Sequence, residues 1–278
     1  MKKQLKVAIG QIAPVLADVE QNCIKHIEYI LQAREQGADV LLFPELSITG
    51  YSLKNQVPHV ALQRDADMFT RLSQVAPEMV ISVGFIEEAA PGEFYNAQAL
   101  LAQGQVVHVH RKLNLPTYGG LEEGKWYGQG QQLSMCRHIE GWPIHTLICA
   151  DLWNPALPHL AMLDKPSLML APINSAADIV SDEFSNPTGW KTNTDFISMT
   201  YGVPVLMANS CALEGNSQFW GGSRILDAFG NILAEAGDGE ELLVADVLFD
   251  DIVNARFQLP TIRDANTPLV AKLLNERL

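Results

Sequence analysis

Residues 5–12 read LKVAIGQI, a run of apolar and β-branched residues that is typical of a buried strand. An amphipathic stretch follows from Val19 to Gln36, and a second apolar run covers Ala38 to Phe43. A strand, a helix and a strand in this order are typical of layered α/β proteins. The beginning of the chain therefore predicts an α/β fold.

The same alternation continues to the end of the chain. Further strands are predicted at Met79 to Phe85, Ala97 to Leu101, Val106 to His110, Ile144 to Cys149, Leu168 to Pro172, Val205 to Asn209, Ser223 to Asp227 and Leu242 to Val247. Further helices are predicted at Ala61 to Ala76, Ala156 to Leu163 and Trp190 to Tyr201. Turn-forming residues at 103–104, 229–231 and 237–239 predict hairpins and hence a mixed sheet. Because no linker or repeat interrupts the pattern, residues 1–278 are expected to form a single domain.

Composition narrows the classes of partner. The net charge of -13 repels phosphate groups, so neither nucleic acid nor an anionic membrane is an expected partner. The apolar run after Met1-Lys2-Lys3 is broken by Gln11 and Pro14, unlike a secretory leader, and a cytoplasmic location is expected. The cysteines at positions 23, 136, 149 and 211 have no paired spacing, which argues against disulfides and a zinc site.

Three chemically distinct side chains follow predicted strands. Glu45 comes after the strand ending at Phe43, Lys112 after the strand ending at His110, and Cys149 at the end of the strand that begins at Ile144. The carboxyl edge of an open α/β sheet is where ligands bind, so these side chains are expected to meet there.

The segments around these residues are FPELSITGY (43–51), RKLNLP (111–116) and CADLW (149–153). In this order they resemble the signature segments of the nitrilase superfamily of carbon–nitrogen hydrolases, and residues 219–230 are similar to the family's late hairpin. The resemblance implies a four-layer α-β-β-α sandwich and a homodimer or higher homo-oligomer. It also implies a Glu-Lys-Cys catalytic set of Glu45, Lys112 and Cys149, a small-molecule amide substrate, and neither a cofactor nor a metal.

Amide hydrolysis explains the choice of these residue types. The expected nucleophile is the thiolate of Cys149. Glu45 is expected to take the proton of the Cys149 thiol, to return it to the departing nitrogen and then to activate water. Lys112 and the backbone N–H of Ala150 stabilise the oxyanion. The Lys112 ammonium, and the amide end of a helix predicted to begin near Asp151 or Asn154, are expected to favour the thiolate.

The segment YGGLEEGKWY (118–127) carries a second candidate acid. Together with CADLW it is most similar to the glutaminase domain of glutamine-dependent NAD synthetases. That similarity implies that Glu123 orients Lys112, and that Tyr118, Trp153 and Ser175 line the pocket with Asn174 beside them. The synthetase's Ser-Gly-Gly-x-Asp-Ser loop is not found in the 278 residues, so ammonia delivery within this chain is not expected.

Departures from the family pattern bear on the substrate. Nitrile-cleaving members usually have Trp-Glu after the cysteine, whereas Ala150-Asp151 here favour amides. Family members that bind a substrate carboxylate often carry an arginine shortly after the cysteine. Leu152-Trp153 occupy that place here, which favours a neutral pocket. Whether the leaving group is ammonia or a larger amine stays open.

Other interpretations remain. Nitrile hydrolysis and a non-catalytic metabolite-binding protein of the same fold are alternatives to the amidase. A Cys-His hydrolase would need His145 or His110 beside Cys149. His108 and His110 share one strand face and suggest a metal site, but no third ligand has a suitable spacing. Gly221-Gly222-Ser223 suggests a phosphate cradle, but without a following helix a tight turn into a strand is favoured.

Overall fold

Two β-sheets stack face to face in the computed structural model, which describes residues 2–181 and 183–278. The strands are β1 (Gln4–Gln11), β2 (Val40–Leu42), β3 (Val80–Ala90), β4 (Glu93–Ala102), β5 (Gln105–Arg111), β6 (Ile144–Thr146), β7 (Leu168–Pro172), β8 (Val205–Ala208), β9 (Leu213–Glu214), β10 (Ser217–Gln218), β11 (Arg224–Leu226), β12 (Ile232–Glu235) and β13 (Glu241–Leu248). The first sheet has the order β13-β1-β2-β3-β4-β5 and the second β12-β11-β8-β7-β6, while β9 and β10 form a separate hairpin.

The helices are α1 (Val19–Glu35), α2 (Val57–Val60), α3 (Asp67–Val75), α4 (Ala156–Leu163), α5 (Asn186–Tyr201), α6 (Phe249–Gln258) and α7 (Thr267–Asn275). Of these, α1 and α3 cover the outer face of the first sheet, and α4 and α5 cover that of the second. Cys23 and Ile30 of α1 pack on the first sheet, and Trp190 and Ile197 of α5 pack on the second.

The central core lies between the sheets. Alternate residues of each strand point into it because side chains on a strand alternate between its two faces. Val7 and Ile9 of β1 meet Leu168 and Leu170 of β7 there, all fully buried. The layer order is therefore helix, sheet, sheet, helix, and the expected α-β-β-α sandwich is confirmed.

Each predicted strand has a counterpart in the structure, with ends shifted by up to five residues. The largest shift at a catalytic candidate is in β6, which ends at Thr146 rather than Cys149. The predicted hairpin at residues 237–239 is wrong: β12 and β13 lie in different sheets, so this turn carries the chain from one sheet to the other. Helices α2, α6 and α7 were not predicted.

Among residues 2–181 and 183–278, no helix is both long enough and apolar enough to cross a lipid bilayer.

Candidate active site

The carboxylate of Glu45 is held by a tight turn after β2. The turn places Leu46 at a φ of 50°, and the Ser47 hydroxyl accepts a hydrogen bond from the backbone N–H of Gly84 at 3.1 Å. A Cβ added to Gly84 would lie 2.2 Å from the Leu46 nitrogen and 2.6 Å from the Pro44 oxygen. Only glycine on β3 lets the turn approach this closely, and the approach buries Glu45 completely.

Lys112 joins two carboxylates at the end of β5. Its Nζ lies 2.6 Å from Oε1 of Glu45 and 2.7 Å from Oε1 of Glu123, and the Lys112 side chain is fully buried. Asn96 Nδ2 donates a second hydrogen bond to Glu45 Oε1 at 2.7 Å, and the Tyr51 hydroxyl donates to Glu123 Oε1 at 2.6 Å. The structure thus brings Glu45, Lys112 and Glu123 into one buried cluster.

The charged groups in this cluster shift one another's pKa values. Burial acts to lower the pKa of Lys112, but the carboxylates of Glu123 and Glu45 outweigh it and hold that pKa well above its ordinary value. Burial raises the pKa of Glu123 to about 7, against the opposing effect of the Lys112 ammonium. Lys112 therefore stays a cation, while Glu123 titrates near neutrality.

Cys149 begins a 3-10 turn that extends to Trp153, two residues beyond the end of β6. Its φ of 45° is unusual for a residue with a side chain, and such strain persists only where the surroundings enforce it. The backbone N–H of Asn174, after β7, lies close to the Cys149 sulfur and acts to lower the pKa of that thiol. The nucleophile candidate is thus presented on a sharp turn rather than on a strand.

The Lys112 ammonium acts to lower the pKa of Cys149, which is the direction expected from the sequence, but it is not the largest influence. Burial raises the pKa of Cys149 well above its ordinary value, and the Glu45 carboxylate adds to this effect more than the Lys112 ammonium opposes it. The charge on Lys112 is also compensated by two carboxylates. The resting group is a thiol, which needs a base to become a nucleophile. The predicted helix near Asp151 or Asn154 begins later, at Ala156 of α4.

Asp151 is a positioning residue that the sequence did not reveal. Its Oδ1 accepts the backbone N–H groups of Leu113 and Asn114, at 2.9 and 2.8 Å. Its Oδ2 accepts the backbone N–H of Ile148 and a hydrogen bond from His110 Nε2, both at 3.0 Å. One carboxylate therefore fastens the segment after Lys112 to the turn that carries Cys149.

A cavity of about 30 Å³ opens beside Cys149. All the pocket residues predicted from the sequence line it, namely Tyr118, Ala150, Trp153, Asn174 and Ser175. Their roles in binding a substrate stay predictions. The walls also include residues that were not singled out, namely Tyr51, Pro116, Leu121, Ile179, Val180, Asn186 and Trp190. None of these lining side chains carries a charge, so the chamber is neutral and largely aromatic.

Two loops cover this cavity. The backbone N–H of Gly120 donates to the carbonyl of Ile179 at 2.9 Å, joining the loop after Lys112 to the loop after Ser175. A Cβ on Gly119, whose φ is 57°, would lie 2.3 Å from the Ile179 oxygen. The close approach of the two loops keeps the chamber small.

Four buried oxygen atoms in this region have no hydrogen-bond partner among the described residues. They are Oε2 of Glu45, Oε2 of Glu123, Oδ1 of Asn96 and Oδ1 of Asn174. Buried acceptors are normally paired, and exceptions concentrate where a ligand or a reaction supplies the donor. The unpaired atoms surround the same lysine and cysteine.

The alternative sites find no support in the geometry. His110 binds Asp151, and His145 Nε2 lies 3.0 Å from Asp164 Oδ2, so neither ring is paired with Cys149. Across residues 2–181 and 183–278, no three His, Cys, Asp or Glu side chains are arranged to hold a metal ion. The N–H groups of Gly221, Gly222 and Ser223 are occupied by Ser210, Gly237 and Gln11, which leaves none to cradle a phosphate.

Tyr51 and Asn96 were also missed, although each contacts a catalytic candidate. Asn96 and Gln98 are buried polar residues that alternate with Ala97 and Ala99 along β4. Polar side chains on one face of an otherwise apolar strand are a signal that the sequence contained. Tyr51 lay inside a quoted segment, but nothing local distinguished it from a core aromatic.

A comparison with protein families adds to this geometry. The carbon-nitrogen hydrolase profile matches residues 6–257. The chain belongs to the carbon-nitrogen hydrolase family. The resemblance based on the three quoted segments is thereby confirmed, and the chain is a carbon–nitrogen hydrolase enzyme.

Individual relatives of this hydrolase differ in length. It is 28% identical over 257 residues to the glutamine-dependent NAD(+) synthetase of Thermotoga maritima, covering 90% of this chain and 43% of that protein. The chain thus spans less than half the length of that relative. It is 25% identical over 285 residues to the citrullinase of Francisella tularensis, covering 98% of this chain and 99% of that one.

Among solved structures, the hydrolase is similar to a variant of the amidase from Nesterenkonia sp. AN1. The TM-score is 0.76 at 26% identity, covering 90% of this chain and 92% of the other. In that structure the acetamide moiety of fluoroacetamide is covalently added at the active-site cysteine.

Proposed function

We propose that this carbon-nitrogen hydrolase is a thiol amidohydrolase that cleaves the C–N bond of a small amide through a thioester on Cys149. The observation that carries the proposal is the buried cluster in which Lys112 bridges Glu45 and Glu123 next to a cysteine on a strained turn. The covalent adduct on the cysteine of the Nesterenkonia amidase supports the choice of nucleophile.

Acylation begins with the thiol. Lys112 and Asn96 both occupy Oε1 of Glu45, which leaves Oε2 to take the proton from Cys149. The sulfur attacks the carbonyl carbon, and the resulting oxyanion is stabilised by Lys112 and the backbone N–H of Ala150. The C–N bond breaks when Glu45 returns the proton to nitrogen, and the amine or ammonia leaves.

Hydrolysis of the thioester uses the same carboxylate. Glu45 takes a proton from water, the hydroxyl attacks the thioester carbon, and the C–S bond breaks. The proton returns to sulfur, so the net reaction converts an amide and water into a carboxylic acid and an amine. Because Cys149 rests as a thiol, both half-reactions depend on Glu45 as a base.

The remaining residues orient the reactants. Glu123 accepts a hydrogen bond from Lys112 and thereby fixes the direction of the ammonium. The uncharged walls contributed by Tyr118, Trp153 and Ser175 suit a neutral acyl group, and a chamber of about 30 Å³ suits a short one. A carboxylated acyl group would find no second cation among the lining side chains.

The proposal is tested by an ammonia- and amine-release screen over short amides, with mass spectrometry of the protein under acid quench. We expect turnover in the wild type, an acyl mass increment on Cys149, and no turnover by Cys149→Ala. Cys136→Ala serves as the matched control, because Cys136 is buried outside the site. Undiminished turnover by Cys149→Ala, or a folded wild type that hydrolyses no amide in the screen, would overturn the proposal.

A further inference from the structure

Asn174 makes two contacts that place it between the nucleophile and the base. Its side-chain Nδ2 donates to the backbone carbonyl of Glu45 at 3.0 Å, and its backbone N–H lies close to the Cys149 sulfur. The side chain lines the cavity and is 2% exposed. Asn174 therefore reaches from one catalytic segment to the other.

The amide oxygen of Asn174 is left without a donor. The bond from Nδ2 to a carbonyl oxygen fixes which end of the side-chain amide carries nitrogen, because only the nitrogen can donate. Oδ1 has no partner among the described residues, and the same is true of Oε2 of Glu45. Asn174 Oδ1 at the cavity wall and Glu45 Oε2 in the neighbouring charged cluster thus lack the hydrogen bonds that buried acceptors normally have.

The geometry of the attack on the carbonyl determines which part of a substrate contacts these two acceptors. When the carbonyl carbon bonds to Cys149, its oxygen must point to Lys112 and the Ala150 N–H, where positive charge is available. The nitrogen must then point to Glu45, which delivers its proton. The Asn174 side chain is hydrogen-bonded to the Glu45 backbone, so it lies beside the residue that delivers this proton.

We infer that Asn174 Oδ1 and Glu45 Oε2 together accept the two N–H hydrogens of a primary amide, so that the leaving group is ammonia rather than a substituted amine. The inference rests on the proposed function and adds to it the class of substrate. An N-alkyl amide offers one hydrogen, leaves one buried acceptor unpaired and adds a carbon to a chamber of about 30 Å³.

Bond changes in this step balance without another reactant. The S–C bond forms and the C–N bond breaks, and the –NH2 group takes the proton that Glu45 received from Cys149. It departs as NH3. Asn174 Oδ1 accepts a hydrogen bond throughout and transfers no proton, so Asn174 acts as a specificity residue that holds the –NH2 group in place.

The test compares three matched substrates: the primary amide with the highest kcat/KM in the screen, its N-methyl analogue and its methyl ester. We expect the wild type to prefer the primary amide over the N-methyl amide by about 100-fold or more. Asn174→Ala should lower kcat/KM by about 10- to 100-fold more for the primary amide than for the methyl ester, because both substrates lose the support of Glu45 but only the amide loses an acceptor for its N–H.

Asn193→Ala is the matched control. Asn193 also donates through Nδ2 to a backbone carbonyl, that of Leu152 at 3.1 Å, and also has an unpaired Oδ1, but it does not line the cavity. Its substitution should leave the ratio of amide to ester turnover unchanged.

Equal wild-type turnover of the primary and N-methyl amides would overturn the inference, and this outcome needs no folded variant. An equal loss of amide and ester turnover in Asn174→Ala would also overturn it, since that pattern indicates general damage. In both cases the acyl adduct on Cys149 would still form, which separates failure of this inference from failure of the proposed function.

Discussion

Two buried carboxylate sites lie on either side of the Lys112 segment, and they differ in how fully they are hydrogen-bonded. Asp151 accepts four hydrogen bonds, two on each oxygen. Glu45 and Glu123 each bind Lys112 through Oε1 and leave Oε2 unpaired. A carboxylate whose acceptor capacity is filled stabilises a fixed geometry, whereas one with a free oxygen retains the capacity to take a proton or bind a ligand.

This contrast separates residues that perform chemistry from those that position them. Asp151 is as buried as Glu45 and lies two residues from the nucleophile, so proximity and burial alone would make it an equal candidate for the base. Its saturated hydrogen bonding assigns it to holding the Lys112 and Cys149 segments together. Removing each carboxylate should therefore produce different kinds of damage.

The largest effect is expected from Glu45→Gln. An amide in place of the carboxylate cannot take the thiol proton, and kcat for amide hydrolysis should fall by about 1,000-fold. Ammonia release under saturating substrate measures the loss. Urea denaturation of the variant is the control, because an unchanged free energy of unfolding shows that the loss of activity does not come from a damaged fold. Retention of more than a tenth of the wild-type kcat would contradict the role of Glu45 as the base.

A smaller effect, mainly on stability, is expected from Asp151→Asn. The substitution removes the charge that four donors share, and the free energy of unfolding should fall by about 3 kcal/mol. Urea denaturation followed by tryptophan fluorescence measures the change.

Asp164→Asn provides the comparison for Asp151. Asp164 also pairs with a histidine, His145, but its side chain is 48% exposed, so the change should stay below about 1 kcal/mol. Similar losses in the two variants would show that the saturated carboxylate has no special structural role.

The smallest effect concerns pH and Glu123. Burial raises the pKa of Glu123 from its ordinary 4.5 to about 7, so between these values the folded protein holds a proton that the unfolded chain releases. The stabilisation from this proton is present in full below pH 4.5 and is lost as the pH rises through 7. In Glu123→Gln the slope of unfolding free energy against pH in this window should become less negative, by at most about 1.4 kcal/mol per pH unit.

Glu122→Gln is the control for that measurement. Glu122 is exposed and paired with Lys125, which lowers its pKa, so it does not titrate between pH 4.5 and 7. Its substitution should leave the slope in this window unchanged. An unchanged slope in Glu123→Gln as well would contradict the assignment of a raised pKa to Glu123.

The sequence predicted the elements and the three segments better than the contacts between them. Strand periodicity located β1, β7 and β13, because alternation of apolar residues is a local property. It also located Glu45 and Lys112 after their strands. The turn at 237–239 was misassigned because turn residues specify a reversal of the chain but not the sheet in which the next strand pairs.

The electrostatics of the site were the least predictable part. The family resemblance implied that Glu45 and Glu123 lie near Lys112, but nothing local indicates that burial and the Glu45 carboxylate together outweigh the effect of the Lys112 ammonium on the pKa of Cys149. The four donors to Asp151 come from two separate parts of the chain, residues 110–114 and Ile148, and three of them are backbone groups. A backbone N–H donor hardly depends on the residue type, so the sequence does not reveal which backbone groups bind Asp151.

Gly84 has a consequence for how this chain can vary. Buried strand positions usually tolerate exchange among apolar residues of similar volume. Position 84 has no such freedom, since even one methyl group would push on the backbone at both Pro44 and Leu46, with Glu45 between them. The absence of a side chain in the middle of a sheet is thus a requirement of the turn that holds Glu45 in place.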